Sequence, residues 1–102
     1  MEFLVHMAVG RIDAGDEREK QLRQEEAARG RELAAQGILV RLWRVPGRRE
    51  NWGIWNADDC DQLHNAFVSL PLFPYLQITV HPLASHPNDP MAHTSSIGKT
   101  RT

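Results

Sequence analysis

Cysteine is nearly absent from this chain. Cys60 stands alone, so no intrachain disulfide can staple the fold, and a reducing compartment, the cytoplasm, is the expectation. Long apolar runs are missing as well. No stretch could span a bilayer, and the opening MEFLVHMAVG is too short and too polar to read as a signal sequence. Neither sign of charge dominates: 12 Lys+Arg against 13 Asp+Glu leave a net charge of −1. Nothing global therefore draws the chain to nucleic acid or to an anionic membrane. Metal-ligand spacing is lacking too. His6, His64, His81, His86 and His93 are spread over three expected elements and the tail, with no pair at ligand spacing on one element. His6 and His81 can face each other across neighbouring strands, but ordinary polar histidines are the expectation, with no metal. Gly98-Lys99-Thr100 resembles the end of a phosphate loop, yet His93 stands where that motif needs its first glycine.

What is present fits one small globular domain. At 102 residues and 41% apolar content, such a chain buries roughly 65% of its unfolded surface. Residues 2–10 alternate, with Phe3, Val5, Met7 and Val9 on one face and Leu4, His6 and Ala8 on the other, which predicts a strand. Arg11–Gly15 is a polar connection, and residues 16–36 predict a helix that Asp13 or Asp16 can cap and Gly37 stops. Residues 38–45 predict a second strand, Pro46-Gly47 a turn and residues 51–55 a third strand, so that the pair makes a hairpin. Asp58 or Asp59 then caps a second helix running to about Leu70, Asp59 and Gln62 having capping-box spacing. Prolines in PLFP (71–74) end it, and residues 75–83 predict the fourth strand. From Ala84 the chain turns polar and proline-rich. Residues 1–87 are expected to form the domain, and 88–102 a tail that is disordered or packed on a neighbouring subunit.

The order β-α-β-β-α-β is the ferredoxin-like α+β pattern: an antiparallel four-stranded sheet with both helices on one face. The other face stays bare, which predicts self-association.

One residue breaks the pattern of the first helix. Leu22, Glu26, Arg29 and Leu33 recur at +4, +3 and +4, on one helical face. Glu26 thus stands on the stripe that Leu22 and Leu33 mark as buried. A carboxylate there has to be paired, solvated or protonated. Two readings stay open: an ion pair with Arg29 or a hairpin arginine, or a catalytic acid–base group. Ala27, Gly30 and Ala34 form a small-residue strip beside it. That strip suits close packing of helix on sheet, or alternatively room for a ligand. Arg41, Arg44, Arg48 and Arg49 flank the hairpin as a solvated turn or a carboxylate-binding patch, with Arg41 and Arg44 on opposite strand faces. Trp43, Trp52 and Trp55 read first as core or interface residues.

Taken together, Glu26 within EEAARGREL, RLWR (41–44), Asn51 in ENWGIW, Leu63-His64, SLPLFPYL (69–76) and His86-Pro87 resemble the muconolactone delta-isomerase family and the related 5-chloromuconolactone dehalogenases. The resemblance spans roughly residues 1–87. It implies a large homo-oligomer, typically a decamer, working without metal or organic cofactor. It also implies a shift of a carbon–carbon double bond in a small unsaturated carboxymethyl-lactone, in the β-ketoadipate pathway of aromatic degradation. The family's proton-shuttling glutamate falls on Glu26 and its third-strand asparagine on Asn51. Departures are Arg49 where relatives have tyrosine, His6 where they have lysine or arginine, NWGIW in place of an NYSVF-like stretch, and a longer tail. On this footing Glu26 is expected to move the proton and Asn51 to serve the lactone oxygen. One of Arg49, His6 or Arg44 is expected to hold the substrate carboxylate. Trp43, Trp52, His64 and Phe73 are expected around the ring. Rival readings are dehalogenating elimination from a chlorinated lactone, and a non-catalytic binding or assembly protein on the same fold.

Overall fold

The computed structural model describes residues 1–92. Alternating apolar residues make β1 (Glu2–Val9), with Phe3, Val5 and Met7 buried. Helix α1 (Asp16–Ala35) follows, then β2 (Leu39–Arg44), β3 (Glu50–Asn56), α2 (Cys60–Val68), one turn of 3-10 helix (Phe73–Tyr75) and β4 (Leu76–Leu83). The sheet order is β2-β3-β1-β4, with every neighbouring pair antiparallel. Leu33 of α1 and Leu63, Ala66 and Phe67 of α2 share one core with Phe3, Val5, Met7 and Trp55. Both helices therefore cover the same face, and the fold is ferredoxin-like α+β.

Local chemistry sets the boundaries. Gly15, at φ 83°, is the N-cap of α1, and no side chain caps that end; neither Asp13 nor Asp16 does so, and the acidic first turn answers only to the helix dipole. At the other end Gly37 has φ 78°. Its N–H reaches the Ala34 carbonyl at 3.0 Å, and the Ile38 N–H reaches Leu33 at 2.9 Å. That pair of bonds is a Schellman stop. Pro46 and Gly47 (φ 76°) occupy the middle of a turn closed by Arg48 N–H on the Val45 carbonyl at 3.2 Å, which joins β2 to β3. Asp59 accepts the Gln62 N–H at 2.8 Å, while the Gln62 side chain reaches Asp58 N–H, one residue short of a reciprocal capping box. Helix α2 stops at Val68 rather than Leu70, where Ser69 turns its hydroxyl onto the Ala66 carbonyl.

Two anchors hold α1. Leu22 packs with Ile12 and Leu72 in a small cluster, and Leu33 lies fully buried in the main core. Fully burying a leucine is worth roughly 1.5–3 kcal/mol. Between the anchors the helix carries Glu26, Ala27 and Gly30, none of which fills space. A β-carbon added to Gly30 would meet nothing within 4 Å. The strip thus stands over open volume and is not a close helix–sheet contact. A bulge between Leu39 and Arg41 leaves Leu39 and Leu42 both on the helix-covered face. Among the described residues no helix is long and apolar enough to cross a membrane. Most of the 88–102 tail, including His93 and Gly98-Lys99-Thr100, lies outside the described residues.

Candidate active site

Space left between α1 and the sheet forms two adjoining cavities that share Met7, Glu26, Leu42 and Asn51. The outer one, about 400 Å³, also takes in Arg23, Arg44, Arg49 and Leu72. The inner one, about 390 Å³, runs under Ala27, Gly30 and Ala34 to Leu39 and Trp55, with Arg31 also in its lining. One end carries three guanidinium groups and the Glu50 carboxylate, the other is mostly apolar, and Glu26 with Asn51 stands where they meet.

Glu26 is half-buried and forms no ion pair among the described residues. Arg29 turns away, to Ser69 Oγ at 2.9 Å and Glu32 at 3.0 Å. Among the described residues, then, Glu26 pairs with neither Arg29 nor a hairpin arginine. What holds the carboxylate is one backbone donor: Leu72 N–H gives a hydrogen bond to Oε1 at 2.9 Å. Burial pushes the Glu26 carboxyl above the usual glutamate range, and the Leu72 N–H pulls part of the way back. The segment SLPLFPY supplies that donor, because Pro71 and Pro74 break the helix and leave the Leu72 amide outside any helical ladder.

Asn51 reaches the same face of the sheet through its pairing with Met7 and Arg44. Its Oδ1 is buried without a hydrogen-bond partner among the described residues. Arg44 has no carboxylate partner among the described residues. Arg49 lies 3.7 Å from Glu19, which also accepts from Arg23 at 3.1 Å. Arg23 was not expected here, although its place one turn before Glu26 on the same helix sets it beside the carboxylate's end of the cavity.

Other expected residues lie elsewhere. His6 and Trp52 pair across β1 and β3 on the bare face of the sheet, with ring centroids 4.7 Å apart. His6 is bonded there to Glu50 at 2.9 Å, which holds the Glu50 carboxyl below the usual range. The alternation of β1 decides this: Met7 faces the helices, so His6 cannot. His6 is thus no carboxylate holder within this subunit, and Trp52 is no wall of the cavity. Trp43 pairs with Trp52 and borders the outer cavity only at its rim, with Arg41 4.7 Å over its ring. His64 and Phe73 meet edge to face in a separate groove between α2 and β4, lined also by Cys60 and Val80. Of the expected set, the cavity beside Glu26 gathers Asn51, Arg44, Arg49 and the Trp43 rim. No cluster of three metal-ligating side chains occurs among the described residues.

A half-buried carboxylate without a counter-cation, beside an amide and an arginine-lined recess, is suited to moving a proton on a small anionic molecule. Comparison with known proteins identifies the family. The family profile of muconolactone delta-isomerase matches residues 1–89. Muconolactone Delta-isomerase 2 of Acinetobacter lwoffii is 34% identical over 87 residues, covering 84% of this chain and 91% of that protein. The Pseudomonas aeruginosa muconolactone Delta-isomerase is 32% identical over 89 residues, 86% of this chain and 93% of its own. A crystal structure of muconolactone isomerase aligns with TM-score 0.81 at 32% identity, over 88% of this chain and 95% of that one.

Proposed function

This chain belongs to the muconolactone delta-isomerase family, an isomerase family, and from that premise we propose that Glu26 alone carries the proton in a cofactor-independent double-bond shift on a muconolactone-like lactone. The substrate is a five-membered unsaturated lactone with a carboxymethyl arm. Ionised Glu26 takes the proton from the ring carbon that bears the lactone oxygen. The electron pair spreads through the conjugated double bond onto the carbonyl oxygen as a dienolate. The same carboxyl group, now protonated, gives the proton to the carbon next to the carbonyl. One proton leaves one carbon and arrives two carbons away, and nothing is gained or lost. A single base serves both carbons because they lie on one face of a small ring.

The observation that carries this reading is the isolation of Glu26. Among the described residues it accepts from Leu72 N–H and forms no ion pair, so its basicity is not spent on an arginine. Asn51, with Oδ1 unpartnered among the described residues, donates through Nδ2 to the oxygen where dienolate charge gathers. Arg44, lacking a carboxylate partner among the described residues, holds the substrate carboxylate, while Arg49 and Arg23, which share Glu19, line the same end. The family resemblance further supports a homo-oligomer, decameric in form, acting in the cytoplasm on an intermediate of aromatic-compound degradation.

Glu26→Gln tests the assignment. Glutamine keeps an acceptor for Leu72 N–H but cannot take a proton, so kcat should fall about 10³-fold while the fold and substrate-analogue affinity persist. A variant with near-native turnover ends the proposal. Assaying a chlorinated lactone in parallel, with halide release measured, identifies elimination if that is the reaction started by the same base.

A further inference from the structure

The reaction needs only the outer cavity, and the inner one is left over. Three observations show it to be more than a packing gap. Gly30 opens into it, with nothing within 4 Å of where a β-carbon would stand. Its apolar floor ends on Trp55, which is 2% exposed and T-stacked on Phe67 at 5.0 Å. The indole Nε1 of Trp55 is buried and has no hydrogen-bond partner among the described residues. A buried N–H without an acceptor costs about 1–3 kcal/mol, and native interiors rarely leave one. The indole fits there because Gly53 has no side chain: Nε1 lies 3.1 Å from where a Gly53 β-carbon would be, and Leu42 Cδ1 lies 3.2 Å from the same point. Leu42 is 52% exposed on an edge strand. Leu42 and Trp55 both line the cavity.

We propose that the inner cavity is a second arm of the active site, taking a short alkyl substituent on the lactone ring that carries an ether or carbonyl oxygen, with Trp55 Nε1–H donating to that oxygen. The inference rests on the lactone-isomerase reading and deepens it: the preferred substrate is a ring-substituted muconolactone. Chemistry at Glu26 is unchanged. The substituent occupies the apolar channel beneath Gly30 while the carboxymethyl arm stays with Arg44 at the opposite end.

Three lactones test this, bearing hydrogen, propyl or methoxymethyl at the ring carbon between the two that exchange the proton. Propyl and methoxymethyl have the same length and differ by one acceptor oxygen. Wild-type protein should turn over both substituted lactones, and its methoxymethyl-to-propyl ratio of kcat/KM should exceed that of Trp55→Phe by about fivefold. Gly30→Leu, which fills the channel, should lower kcat/KM for both substituted lactones at least about tenfold and leave the unsubstituted one within about twofold. The indole N–H resonance of Trp55, identified in the spectra of Trp43→Phe and Trp52→Phe proteins as the signal both retain, should shift on binding the methoxymethyl lactone and not the propyl one. The proposal is overturned if Gly30→Leu lowers all three lactones alike, if the substituted lactones are refused by the wild type, or if the Trp55 resonance does not respond. Turnover of the unsubstituted lactone with refusal of the others defeats the second arm alone. Turnover of none defeats the isomerase reading with it.

Discussion

At the residue scale, Glu26 is a half-buried carboxylate that, among the described residues, accepts one hydrogen bond, from the Leu72 amide. Burial raises its carboxyl above the usual glutamate range, and both its chemistry and its cost follow from that sign. A base must be ionised, so kcat/KM should fall on the acid side with an apparent pKa above that of an exposed glutamate, read from a pH–rate profile. Stability runs the other way. A raised folded-state pKa gives a contribution that is complete below the unfolded pKa and lost as pH rises through the folded one. Melting temperatures of wild type and Glu26→Gln between about pH 4 and 7 should therefore diverge as pH rises, the variant being the more stable at neutral pH. Lower stability of the variant at neutral pH would mean that the charge is structural. Arg44 makes the complementary prediction: Arg44→Ala should raise KM about tenfold or more with a smaller effect on kcat, because the carboxylate it holds takes no part in the proton shift.

At the scale of elements, α1 is a beam fixed at Leu22 and Leu33 and unsupported between them. Three turns separate the anchors, and the residues facing inward over that span are a carboxylate, an alanine and a glycine. The helix tolerates glycine at position 30 at a cost of roughly 1 kcal/mol relative to alanine. Since a methyl group there meets nothing within 4 Å, Gly30→Ala should stabilise the protein by about 0.4–1 kcal/mol, measured by denaturant unfolding. Destabilisation would show that the volume beneath Gly30 closes in solution. The segment after α2 is positioned as strictly as the helix. Its prolines free the Leu72 amide, and that amide fixes the carboxylate 46 residues earlier in the chain. Element types and order were readable from periodicity and breakers alone. The N-cap of α1 was not, because Gly15 works through its positive φ and leaves no side-chain signature beside two plausible aspartates.

For the whole molecule, the unequal faces of the sheet matter most. One carries both helices and the cavities. The other presents Leu4, Ile54, Trp52 and Trp43 by register, with Trp43 44% and Trp52 36% exposed. A bare apolar face of that kind favours assembly. Ile54→Lys, which puts a charge at its middle without touching the cavity, should reduce the particle mass seen by light scattering. A wild-type protein that runs as a monomer would refute the assembly.

The sequence alone determined the order of elements, the fold class and the suspicion attached to Glu26, since periodicity, turn residues and one misplaced charge are local signals. Only the tertiary structure decided the company Glu26 keeps. It removed His6 and Trp52 to the bare face, sent His64 and Phe73 to a groove beside β4, and brought in Arg23 and the Leu72 amide. The physical reason is that alternation along a strand fixes which residues share a face. Which face the helices cover, and where a helix held at two points stands clear of the sheet, depends on packing among residues far apart in the chain.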